Sequence, residues 1–190
     1  MPRTQKQFEG IREEKKALIM RTALELFATQ GFHGTTISSI ADKAEISKGL
    51  LYNYFNSKED LLKAIIYAGL ENIDKLVDPN KDGVLTGDEM EFLLDRYFKL
   101  LKNDSCFWRL YFTLLLQEPI LELVEERLSK VINSYIDLLK SYFESQGRED
   151  PYTEAVIFGA LLDGIGMNYL TYPEIFQTEK IKERILKKYS

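Results

Sequence analysis

Cysteine occurs once in 190 residues, at Cys106, so no internal disulfide can form and no zinc-ligand spacing exists. Histidine is equally scarce. His33 is the only one, in the turn after the first expected helix, and it is read as a loop residue rather than a general base. With no histidine to activate it, Cys106 is expected to be a buried small hydrophobe. Glycine-rich phosphate loops are missing, and the carboxylates fall at helical spacing from apolar residues, as on a solvated face. The longest fully apolar stretches, such as 114–116, fall far short of the ~20 residues needed to cross a bilayer, and no signal-like apolar run opens the chain. These absences exclude the common catalytic frameworks and lead us to expect a cytoplasmic protein that is not an enzyme and needs no membrane.

Hydrophobic residues make up 45% and aromatic ones 12%, enough for a packed core without a metal staple. The net charge of −5 is unevenly spread. Up to residue 63 there are 10 Lys and Arg against 8 Asp and Glu, and beyond it 15 against 22. A polyanion is therefore better received by the front of the chain.

Apolar spacing is helical nearly throughout, and no alternating run marks a strand. About nine helices are expected. Ile19, Ala23, Leu26 and Phe27 form one face of the first, which Gly31 can stop. Thr36 caps a short second helix with Ile37, Ile40, Ala41 and Ala44 inward, and Ser47 caps a third from 48 to about 54. Ser57 with Asp60 opens a fourth, which runs to a polar loop at 78–89. Further helices are expected at about 86–102, 106–117, 119–146, 151–171 (capped by Asp150 with Pro151 first) and 179–189.

Two short helices joined by the tight turn Glu45-Ile46 make a helix-turn-helix, whose second member enters the major groove of DNA. The segment SKGLLYNYF places Ser47, Lys48, Tyr52 and Tyr54 outward beside inward Leu51 and Phe55, while Gly49 allows close backbone approach. A solvated polar face on a small bundle is the competing explanation. Residues 23–62, with Phe27, Gly31, Thr36, Ile40, Ala41, Ala44, Ser47, Gly49, Tyr52, Phe55, Lys58 and Leu61 in register, resemble the TetR-type transcriptional regulators. Glu45 departs from that pattern, where such proteins usually carry glycine.

The resemblance implies an all-α protein: a helix-turn-helix DNA-binding domain at 1–62 and a helical effector-binding and dimerisation domain at 63–190. It implies that Thr36 anchors the bracing helix to a phosphate, that Lys48, Gly49 and Tyr52 face the groove, and that Tyr54 and Lys58 hold the flanking backbone. Independently, Thr36 and Lys58 sit at expected helix N-termini, which attract phosphate. The basic tail PRTQK, at 2–6, would add a nonspecific contact or stay frayed. Residues 160–170, ALLDGIGMNYL, look like the dimer-forming helix of such regulators, with Ala160, Gly164 and Gly166 permitting close approach. For a small-molecule effector the candidate lining is Phe92, Tyr97, Trp108, Tyr111, Phe112, Phe158 and Asn168, with Phe107, Tyr169 and Asp163 as further possibilities.

The loop DPNKDGVLTGDE at 78–89 carries every side-chain anchor of an EF-hand calcium loop. Asp78, Asn80 and Asp82 stand at positions 1, 3 and 5, Gly83 at 6, Val84 at the carbonyl position, Thr86 at the water position and Glu89 at 12. Leu85 is the apolar plug. A polar connector would look similar, and such loops usually come in pairs, whereas only one is present. No cofactor is required, and Ca2+ at this loop is the single ion indicated. Two functions follow: a dimeric regulator, repressor in type, that binds palindromic operator DNA, releases it on binding an effector and is open to Ca2+ modulation, or a calcium sensor with an incidental helix-turn-helix.

Overall fold

A computed structural model describes residues 5–78 and 80–189; of the basic tail at 2–6, Pro2, Arg3 and Thr4 lie outside the described residues. Among the described residues the architecture is all-α: α1 (Gln5–Gln30), α2 (Ile37–Lys43), α3 (Lys48–Tyr52), α4 (Lys58–Val77), α5 (Gly87–Asn103), α6 (Ser105–Leu115), α7 (Glu118–Ser145), α8 (Pro151–Thr171) and α9 (Thr178–Tyr189). A single 3-10 turn, Pro173–Ile175, follows α8 and was not expected from the sequence.

Local chemistry sets the helix ends. Thr36 Oγ1 accepts from Ser39 N at 3.0 Å, and Thr36 N donates to Ser39 Oγ at 3.1 Å, a reciprocal cap that starts α2. Thr86 and Glu89 repeat the arrangement at α5. Ser47 accepts from Leu50 N at 3.1 Å, and Asp150 accepts from Thr153 N at 3.1 Å with Pro151 at the first helical position. Gly31 and Gly147, at φ +78° and +70°, end α1 and α7 in the left-handed conformation.

The chain divides into two compact units, each with its own core. The first comprises the described residues through Gly69 together with Leu110–Val124. Ile19, Ala23 and Phe27 of α1, Ile40 and Ala41 of α2, Leu51 of α3 and Leu61, Leu62, Ile65 and Ile66 of α4 are all within 1% of complete burial. Tyr111 joins this core: its ring packs where Gly69 lacks a side chain, and its hydroxyl donates to Ile66 O at 3.0 Å. Burial pushes the Tyr111 hydroxyl pKa well up from its ordinary value.

The second unit comprises Leu70–Arg109 and the residues from Glu125 onward. Its centre is aromatic. Phe143, Phe158 and Tyr189 meet pairwise with centroids 5.0–6.0 Å apart, among Leu93, Leu94, Met90 and Leu139. Tyr142 donates to Tyr189 O at 3.1 Å, tying α7 to the end of α9.

Cys106 is exposed, contrary to the expected burial. The buried stripe of α6 runs through Trp108, Tyr111 and Leu114, and a residue two places before Trp108 is rotated about 200° from it, toward solvent.

Gly69 and Gly10 give opposite expectations. A methyl at Gly69 would overlap the Tyr111 ring, whereas Gly10 in α1 has open space around it. Gly69→Ala should lose about 1–3 kcal/mol, and Gly10→Ala should gain up to about 1 kcal/mol from helix propensity. Thermal and urea denaturation followed by circular dichroism measures both; a Gly69→Ala chain as stable as the wild type would refute the close packing.

Candidate nucleic-acid interface

The third helix has one locked face and one bare face. Leu51 is fully buried and Phe55 is 3% exposed, while Ser47, Lys48, Gly49 and Asn53 are exposed and Tyr52 presents 53% of its surface. Ser47 is held at the helix start by its own cap, and nothing lies within 4 Å of where a Gly49 side chain would begin. The bare face thus offers an ammonium, a phenol, a hydroxyl and a gap for close backbone approach. Asn53, which the sequence reading passed over, adds an exposed amide beside Tyr52; its place inside SKGLLYNYF was the available signal.

The second helix braces the third through buried Ile40 and Ala41, and the turn closes with Ile46 N donating to Ala41 O at 3.0 Å. Glu45 occupies that turn at φ +53°, a left-handed conformation that costs an L-residue roughly 1–2 kcal/mol. The requirement for glycine is real here, and this chain meets it with a strained glutamate.

Thr36 is exposed at the start of α2, with its N–H and hydroxyl engaged by Ser39. Tyr54 is half-buried beneath the Arg12 guanidinium, 5.5 Å from its ring centroid. Lys58, expected at the flanking DNA backbone, makes contacts within its own unit. Its ammonium donates to Phe32 O at 2.8 Å and Thr35 O at 2.9 Å and lies 4.4 Å over the Phe32 ring. The turn after α1 presents two carbonyls and an aromatic face, and together they draw the cation inward.

The residues expected to line an effector pocket fall in both units. Tyr111 and Phe112 belong to the first unit, the other five to the second. Tyr111, Trp108 and Phe158 are core residues, Phe92 points outward at 58% exposure, and the Asn168 amide donates to Gly164 O at 2.7 Å on its own helix. Tyr97 donates to Leu162 O at 2.5 Å and fills the space left by Gly166. Burial first, then the Asp163 carboxylate, push its hydroxyl pKa well up. Gly166, expected on a dimer face, is thereby taken by an internal contact, whereas Gly164 remains open.

A cleft of about 460 Å³ does exist in the second unit, lined by Phe98, Tyr169 and Phe176, by Lys99, Lys102 and Lys182, and by the carboxylates Asp95 and Glu179. Only Tyr169 among these was singled out from the sequence. The others come from α5, α9 and the segment between α8 and α9, and no local pattern links them. Lys182 donates to Asp95 Oδ1 at 2.7 Å and pairs with Glu179 at 3.0 Å; those two carboxylates raise its pKa.

Asp78, Asn80, Asp82 and Val84 lie on the connection from α4 to α5, and Glu89 in the first turn of α5. Among the described residues, however, no three His, Cys, Asp or Glu side chains are grouped closely enough to hold a metal.

Residues 19–65 match the family of bacterial regulatory proteins, tetR family. YuxN, an HTH-type transcriptional regulator of Bacillus subtilis, is 31% identical over 165 residues, covering 83% of this chain and 54% of the relative. The chain thus spans about half the length of that relative. The fatty acid metabolism regulator protein of the same organism is 24% identical over 148 residues, 77% of this chain and 71% of the relative. Among solved structures, the regulator FadR of Bacillus subtilis in complex with stearoyl-CoA shares the fold with a TM-score of 0.65, at 19% identity and with 90% of this chain and 95% of that chain covered. Among the described residues no helix is long and apolar enough to cross a membrane. Bare α3, its brace α2 and the adjoining ends of α1 and α4 make up the segment, residues 19–65, that matches the tetR family model.

Proposed function

We propose that the chain is a TetR-type transcriptional regulator, acting as a homodimeric repressor on palindromic operator DNA. The observation that carries this reading is the outward set Ser47, Lys48, Gly49 and Tyr52 on a helix fixed from behind by Leu51 and Phe55. Lys48 and Tyr52 read base edges, and Ser47, Thr36 and Tyr54 meet phosphates on either side. Lys58 acts indirectly, by holding the turn after α1 against the start of α4.

Dimerisation rests on α8. That helix is rich in apolar residues without a single apolar side, and Tyr152, Val156, Ile157 and Met167 are 41–58% exposed, with Tyr172 just beyond it. A second copy, packing the same face, removes that surface from water and supplies the second reading head that a palindrome needs. The effector is a small molecule held by the second unit. The relatives named for fatty acid metabolism, together with a cleft that joins aromatic rings to ammonium groups, make a fatty acyl thioester the first compound to try. Any Ca2+ modulation would act through residues 78–89, where the chain passes from α4 to α5.

Selection of bound sites from random duplexes, followed by anisotropy titration, tests the reading. A palindrome bound at about 10⁻⁸ M or tighter, weakening steeply with salt, is expected; no salt-dependent binding removes the proposal. Lys48→Ala should leave stability within about 0.5 kcal/mol and relax base preference at one position per half-site by about 1–3 kcal/mol. Lys58→Ala should instead lower folding stability by about 1–3 kcal/mol, because two carbonyls lose a charged donor, and weaken binding to all sequences alike. Glu45→Gly trades relief of the left-handed strain against a more flexible unfolded chain, so stability should change by less than about 1 kcal/mol. Loss of its negative charge should raise DNA affinity a few-fold at low salt.

A further inference from the structure

Arg12 lies outside the helix-turn-helix, yet its guanidinium carbon stands 5.5 Å from the centroid of the Tyr54 ring. Both sides of that contact are anchored. Tyr54 comes directly before Phe55, which is 3% exposed, and its N–H donates to Leu51 O at 2.9 Å. On the other side, Ile19, Ala23 and Phe27 of α1 are fully buried in the same unit. Arg12 belongs to that stripe by register, since it precedes Ile19 by seven residues, two turns of one helix.

Where α1 runs past its core, therefore, its inward side turns from apolar to basic. Arg12 is exposed there, with Lys15 and Lys16 half-buried one turn further on and Glu9 one turn before. Among the described residues no ion pair takes up the Arg12 guanidinium; the Tyr54 ring is what it meets. An aromatic face holds a cation through the ring quadrupole and makes no hydrogen bond to it. The planar fork of N–H donors thus stays available for an anion that matches it, and a phosphate does so.

We infer that Arg12 binds a DNA phosphate, with Tyr54 as the platform that positions it. Tyr54 stands just beyond the reading helix, so the phosphate borders the half-site and carries no base identity. The Tyr54 hydroxyl and the Arg12 fork then grip the same stretch of backbone from two elements of one rigid core. Arg12 adds affinity without sequence preference. This assignment rests on the reading of the chain as a DNA-binding regulator, and it extends the interface from α3 to the N-terminal part of α1.

Anisotropy titration of the full chain, on the duplex recovered by site selection and on a scrambled duplex of equal length, tests it when repeated over a series of salt concentrations. Arg12→Ala should weaken binding to both duplexes by about tenfold and make the salt dependence shallower by about one phosphate per chain. Arg12→Lys should restore the salt dependence and only part of the affinity, because an ammonium lacks the fork. In a Tyr54→Leu background, Arg12→Ala should cost at least about threefold less than in the wild type. The thermal midpoint of Arg12→Ala should stay within about 2 °C of the wild type, as for an exposed side chain. A wild type with no salt-dependent affinity for any duplex removes the regulator reading and this assignment with it. A wild type that binds, beside an Arg12→Ala chain with the same affinity, overturns this assignment alone. So does a loss of affinity with the salt dependence unchanged, since that marks a purely structural role.

Discussion

A helix of five residues has no stability of its own, because forming its first turn costs more entropy than one hydrogen bond returns. Everything α3 can do at a DNA surface therefore depends on the burial of Leu51 and Phe55. These two side chains fix the angle of the helix, and the Ser47 cap fixes where it begins. The reading face is the remainder: whatever is not used for anchoring stands outward. Binding residues and core residues are thus set by one choice of register, and neither can shift without the other.

Around that anchor the same economy recurs. The Lys58 ammonium joins residues 26 and 23 positions earlier in the chain, fastening the turn after α1 to the first residue of α4. Tyrosine hydroxyls do comparable work in both units: Tyr111 donates to Ile66 O beside Gly69, and Tyr97 donates to Leu162 O beside Gly166. In each case a missing side chain lets the phenol end of a tyrosine approach a helix, and its hydroxyl donates to a backbone oxygen. Such junctions resist small changes of packing, since a methyl added at the glycine meets the ring directly.

The division between what could and could not be read from the sequence follows the range of the interactions. Thr36, Ser47 and Asp150 mark helix starts because a cap bonds within three residues, and the structure has them all doing so. The helix-turn-helix was legible for the same reason, its inward residues recurring at short spacing. The contacts of Lys58 with Phe32 O and Thr35 O, and of Tyr97 beside Gly166, could not be read, because the partners lie in a different turn and on a different helix. Cys106 was misjudged because the lack of an activating histidine says nothing of burial, which the phase of the α6 stripe set by Trp108 and Tyr111 decides. The cleft around Phe98, Tyr169 and Phe176 draws on separated segments, which no local pattern links.

The exposed apolar residues of α8 have a consequence for how such a protein would respond to its own abundance. With a second copy as the cover, only paired chains could grip a palindrome. Below the pairing constant, operator occupancy would then climb with the square of the chain's concentration. A twofold change in gene dosage would be felt as roughly a fourfold change in repression.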